Sequence, residues 1–76
     1  MLKLINNTVI NTDRITHIST GNRGQGLFFV MSNREVVGFD LDEPAKNINA
    51  VLANLIRELV DPDVVEINIT KLNEVK

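Results

Sequence analysis

Three groups of residues in this chain have types and spacing that suggest chemistry. The first is His17, the sole histidine, which in Thr16-His17-Ile18-Ser19 shares one side of an extended strand with Ser19. A serine and a histidine so placed are the parts of a nucleophile and its base. Such a pair also needs a group to orient the imidazole and donors for an oxyanion. Neither stands nearby in the sequence, so the pair reads as exposed strand residues. The second group is Gly21-Asn22-Arg23-Gly24-Gln25-Gly26, which holds three of the four glycines. A glycine-rich loop cradles phosphate when a helix N-terminus follows it and aligns the amides. Here Leu27-Phe28-Phe29-Val30 follows, which is strand, so the segment reads as a flexible connector. The third group is the carboxylates Asp40, Asp42 and Glu43, with Asp61 and Asp63 further on. No calcium-loop spacing joins them. Their places suit a helix cap and a turn better than a metal.

No catalytic residue, cofactor site or metal site is therefore expected, and the chain is not expected to be an enzyme. With no cysteine, disulfides and thiolate zinc sites are excluded, and a lone histidine is too few for a histidine-based site. The charge is −2 and the pI about 5.2, with the eight lysines and arginines scattered singly. Phosphate neutralisation needs clustered positive charge, so the balance argues against nucleic acid. No run approaches the ~20 apolar residues that cross a bilayer. The chain reads as soluble and cytoplasmic.

Its 76 residues allow one domain, residues 1–76. A chain of this size buries only about 60% of its unfolded surface and usually needs a supplement to its core. With disulfides and metals set aside, oligomerisation is left.

The elements follow from periodicity. Leu2 to Ile5 and Thr8 to Ile10 read as strands around a turn at Asn6-Asn7. A single helical turn at about residues 12–15, capped by Asn11 or Thr12, leads into a strand from Thr16 to Thr20. A hairpin from Leu27 to Asp40 follows, with a two-residue turn at Asn33-Arg34. That turn pairs Met31 with Val36 and Val30 with Val37. One face then carries Phe28, Val30, Val37 and Phe39, and the other Leu27, Phe29, Met31 and Val36. Asp42-Glu43-Pro44 has the composition of a helix start. Ala45, Ile48, Val51, Leu52, Leu55, Ile56, Leu59 and Val60 then form one apolar stripe of a helix running from about Asp42 to Val60. Asp61-Pro62 stops it. Val65, Ile67 and Ile69 alternate as a last strand, and residues 71–76 read as a frayed tail. The expected fold is α+β in the order β-β-β-β-α-β, a small antiparallel sheet of four to five strands packed on one amphipathic helix.

One helix can dry one face of such a sheet. Leu27, Phe29, Met31 and Val36 are thus the expected interface of a homo-oligomer, with a dimer favoured, or of an unknown protein partner. The competing expectation is that the strands from Leu2 to Thr20 curl round and bury the second face within one chain.

From Thr8 to about Leu55 the chain resembles the small bacterial flagellar FlbD family. The resemblance lies in Asn11-Thr12-Asp13-Arg14-Ile15-Thr16-His17-Ile18, in the hairpin Ser32-Asn33-Arg34-Glu35 and in the helix after it. Arg34 stands where that family's turn leads one to expect glycine, and Val64 to Ile69 are additional. The Ile15-x-x-Ile18 strand and short hairpin are also similar to the LytTR-type DNA-binding domain, which would imply a regulatory DNA-binding role. The function expected from the residues themselves is a self-associating protein-interaction or regulatory module, with a LytTR-like DNA-binding regulator as the alternative.

Overall fold

The computed structural model describes residues 1–21 and 24–72. Its elements are β1 (Leu2–Ile5), β2 (Thr8–Asn11), a 3-10 turn (Thr12–Arg14), β3 (Ile15–Gly21), β4 (Gly26–Met31), β5 (Val36–Asp40), α1 (Ile48–Val60), β6 (Glu66–Ile67) and α2 (Ile69–Leu72). The class is α+β, but the single sheet expected from the sequence is instead two sheets of three strands, ordered β2-β1-β6 and β3-β4-β5. The division falls at the capped turn. Asn11 Oδ1 accepts the Asp13 N–H at 3.1 Å, which fixes one tight turn and redirects the chain between β2 and β3. β2 stays paired with β1, and β3 opens the second sheet.

The first sheet is mixed. β1 pairs antiparallel with β2 across Asn6-Asn7 and parallel with β6, with Ile5 beside Ile67. Asn6 sits at φ 54°, a conformation that asparagine tolerates better than most residues. Its Oδ1 accepts the Ile69 N–H at 2.9 Å, so one side chain ties the turn to the start of α2. The last strand is shorter than the alternation of Val65, Ile67 and Ile69 implies. Ile69 and Leu72, three apart, turn inward together on α2 and are both buried. Lys71 and Leu72 are therefore not part of a frayed tail; residues 73–76 lie outside the described residues.

The second sheet departs from expectation by one residue of register. Val30 faces Val36, Phe29 faces Val37 and Leu27 faces Phe39. The loop holds three residues, Ser32-Asn33-Arg34, rather than two. Arg34 N–H donates to Met31 O at 2.9 Å, and Met31 N–H donates to Glu35 O at 2.8 Å. Arg34 itself lies at φ 70°. This is the three-residue hairpin in which a tight turn is followed by a left-handed residue. A slip of one residue exchanges the faces of a strand. Val37 and Phe39 thus join Leu27, Phe29 and Met31 on the inner face, and Val36 turns outward with Phe28 and Val30.

The helix begins six residues later than Asp42. Asn47 is its cap, with Oδ1 accepting the Ala50 N–H at 3.2 Å. Residues 41–45 are held instead by the glycine loop, with Leu41 N–H on Gln25 O at 2.7 Å and Ala45 N–H on Gly24 O at 3.0 Å. Those bonds hold the segment in a bent, non-helical path past Pro44, so the acidic residues before it do not cap α1.

One core joins all layers. Ile5, Ile10 and Ile67 come from the first sheet, Leu27, Phe29 and Phe39 from the second, and Val51, Leu55, Ile69 and Leu72 from the helices. Phe29 and Phe39 meet edge to face, with centroids 5.3 Å apart and planes at 74°, a favoured aromatic geometry.

Candidate interaction surfaces

Leu27 and Phe29, expected at an interface, are at 0% exposure inside the core. Met31 is half-buried on the same inner face, and Val36 is exposed on the opposite one. The four residues therefore do not make one surface. The register slip is the cause, since it separates Val36 from the other three. Their inner face is covered within the chain, because the first sheet supplies Ile5 and Ile10 to the same core.

The outer face of the second sheet carries Phe28, Val30 and Val36 with His17 and Ser19. Ser19 stands opposite Phe28, and His17 opposite Val30. The Phe28 ring lies across its neighbouring strands. A Cβ on Gly21 would meet the ring at 2.8 Å, and one on Gly38 would meet it at 3.3 Å. Glycine at both positions lets the ring lie flat on the sheet. His17 is exposed, and its Nδ1 is 3.4 Å from Thr16 Oγ1. Thr16 Oγ1 itself donates to Val30 O at 2.8 Å, at the irregularity between Ile15 and His17. His17 and Ser19 share a face, as alternation requires, and the hydrogen bonds of neither build a nucleophile.

A second apolar surface lies where the C-terminal half of α1 passes the 3-10 turn. A cleft of about 420 Å³ is lined by Ile15, Ile56, Leu59 and Val60, with Thr12, Asp13 and Met1 at its edge. Ile56 and Val60 are one helical turn apart and both exposed, Val60 at 73%. The sequence stripe included both, but α1 buries Val51 and Leu55 fully and turns these two toward solvent.

The remaining candidates resolve into local structure. Asp61 Oδ1 accepts the Asp63 N–H at 2.9 Å, which makes Asp61-Pro62-Asp63 an ordinary turn. Among the described residues, no group of three or more histidine, aspartate or glutamate side chains is close enough to hold a metal ion. No helix is long and apolar enough to cross a membrane among those residues. Gly21 pairs with Gly26 across the loop, so the loop closes a hairpin and no helix follows it; Asn22 and Arg23 lie outside the described residues.

Sequence reasoning missed Lys3, which is 1% exposed. Its Nζ donates to Glu58 O and, at 2.7 Å, to Asp61 O. These are carbonyls at the C-terminal end of α1, where the helix presents unpaired acceptors and partial negative charge. Residue 62, four beyond Glu58, is proline and has no N–H to offer. Lys3 supplies the missing donor from another element. The signal was legible in part: in Leu2-Lys3-Leu4-Ile5, alternation puts Lys3 on the same face as Ile5.

In comparisons with protein-family models, with curated proteins and with solved structures, nothing matches this chain.

Proposed function

We propose that this chain is a self-associating protein-interaction module that acts without catalysis. The observation that carries the reading is that both sheets bear apolar side chains on the side away from the shared core. In the first sheet these are Leu2 and Val9, and in the second Phe28, Val30 and Val36. Scattered apolar residues are normal on a protein surface, but contiguous ones mark contact sites. A chain of 76 residues has a small core to set against its chain entropy. Covering such a face would add burial at about 25 cal/mol per Å² of apolar area, before the costs of association.

The charge distribution supports protein rather than nucleic acid as the partner. Of eight basic residues, Lys3 is spent inside the fold on helix carbonyls. Sedimentation equilibrium from low to high micromolar concentration tests the reading. A mass that rises with concentration to a defined oligomer is expected. A monomer throughout refutes self-association, and retention on heparin with elution by salt would favour a DNA-binding regulator instead.

A further inference from the structure

We infer that the site of self-association is the free edge of β3, which pairs antiparallel with β3 of a second copy about a twofold axis at Ile18. The inference rests on the self-association proposed above and adds its strand and its register, placing the contact at a strand edge rather than on the outer apolar faces.

A sheet edge presents unpaired N–H and C=O groups, and monomeric proteins blunt such edges with charge, proline, shortness or a cover. The edges of this fold differ sharply in that respect. β2 spans four residues and β6 two. β5 ends in Asp40 and has α2 packed against it. β3 is the longest strand, seven residues from Ile15 to Gly21, and among the described residues its sole strand partner is β4. It holds no lysine, arginine, aspartate, glutamate or proline. Thr16, His17, Ser19 and Thr20 are exposed along it. Its one protective device is the irregularity between Ile15 and His17, which leaves residues 17–21 in regular register.

The sequence of β3 is self-complementary about Ile18. A twofold axis there sets Ile18 against Ile18 of the second copy and His17 against its Ser19. Ile18 is half-buried and packs on the core, so the pair would extend the inner apolar layer across the junction. His17 and Ser19 lie on the outer face beside Val30 and Phe28. No fixed like charges meet, although each copy carries a net charge of −2. The result is a continuous six-stranded sheet made by a self-complementary contact, the commonest arrangement for a dimer.

The test uses the register. His17→Lys with Ser19→Lys sets two pairs of introduced ammonium groups against each other across the axis and leaves the core untouched. Like charges directly opposite disfavour strand pairing, and the dimer dissociation constant should rise about tenfold. His17→Lys with Ser19→Glu sets opposite charges face to face and should restore the dimer. Far-UV circular dichroism establishes that each variant is folded. As a measurement on the unaltered chain, amide hydrogen exchange at residues 17–19 should slow as concentration rises through the dimer range. A wild-type chain that stays monomeric defeats both this inference and the proposed function. A wild-type dimer that the two lysines leave intact, or that Val60→Glu dissociates instead, overturns the β3 edge alone. Failure of the lysine–glutamate variant to recover, or exchange at residues 17–19 that ignores concentration, overturns it as well.

Discussion

Replacing Lys3 by methionine should destabilise the fold severely, although the change keeps side-chain length and removes a buried charged group. The Nζ of Lys3 makes two hydrogen bonds, to Glu58 O and Asp61 O, from a side chain 1% exposed. Bonds from a charged donor contribute roughly 1.5–3 kcal/mol each. Against that stands the relief of not burying an ammonium group, which costs several kcal/mol when its partners are incomplete. Here the acceptors do not leave with the donor. Methionine offers no N–H and Pro62 offers none either, so Glu58 O would be left beside an apolar thioether, while Asp61 O would keep only the Val64 N–H at 3.2 Å. The net loss should be about 2–4 kcal/mol. A domain of this size holds about 4–11 kcal/mol in total. The melting temperature should fall by about 10–25 °C. The chain has no tryptophan or tyrosine, so unfolding is followed by far-UV circular dichroism in urea rather than by fluorescence. Lys71→Met, at an exposed position, serves as the control and should change stability by less than about 0.5 kcal/mol. A Lys3→Met loss as small as that of the control would show that Lys3 does not hold the helix end.

Two further substitutions probe the hairpin and the core. Arg34→Gly should stabilise the chain by about 0.5–1 kcal/mol, because the left-handed backbone at Arg34 costs a side-chain-bearing residue about 1–2 kcal/mol and glycine returns part of that as unfolded-chain entropy; a loss of stability in urea denaturation would show that the arginine side chain contributes more than the backbone costs. Leu55→Ala should cost about 2–5 kcal/mol and Leu52→Ala distinctly less, since Leu55 is fully buried and Leu52 half-buried; the reverse order in the same assay would misplace the face of α1 that meets the sheets.

The parts of this fold legible in the sequence are those set by neighbours in the chain. Asn11 capping a single turn before β3 was readable because a cap acts over two or three residues, and Asp61-Pro62 ends α1 for an equally local reason. The hairpin was misread at one residue. Asn33-Arg34 has the look of a two-residue turn, and nothing in an arginine advertises a left-handed backbone. The cost of that conformation is borne by the inward packing of Val37 and Phe39, which a two-residue loop would have turned outward. The later start of α1 was hidden because Leu41 and Ala45 are held by Gln25 and Gly24, some twenty residues earlier. Lys3 was hidden for the same reason at greater distance, its acceptors lying at residues 58 and 61. Leu27 and Phe29 belong to a core that the strands before Gly21 help to close, and the hairpin register sets Val36 on the opposite face.

The link between the first residues and the region after α1 also bears on the order in which the chain folds. Lys3 reaches Glu58 and Asp61, Leu4 and Ile5 pair with Glu66 and Ile67, and Asn6 holds Ile69. These contacts lie side by side along one strand, and each spans about sixty positions of sequence. The entropy of closing so large a loop is met once, by whichever contact forms first, and the others then follow at little further cost. β3, β4 and β5 are joined by short hairpins and can assemble without that closure. β1 and β2 can pair early across Asn6-Asn7, but one edge of β1 stays open until Glu66 and Ile67 arrive. Without that closure β1 would offer an edge to any extended segment nearby. The same few contacts seal the sheet and the end of the helix together.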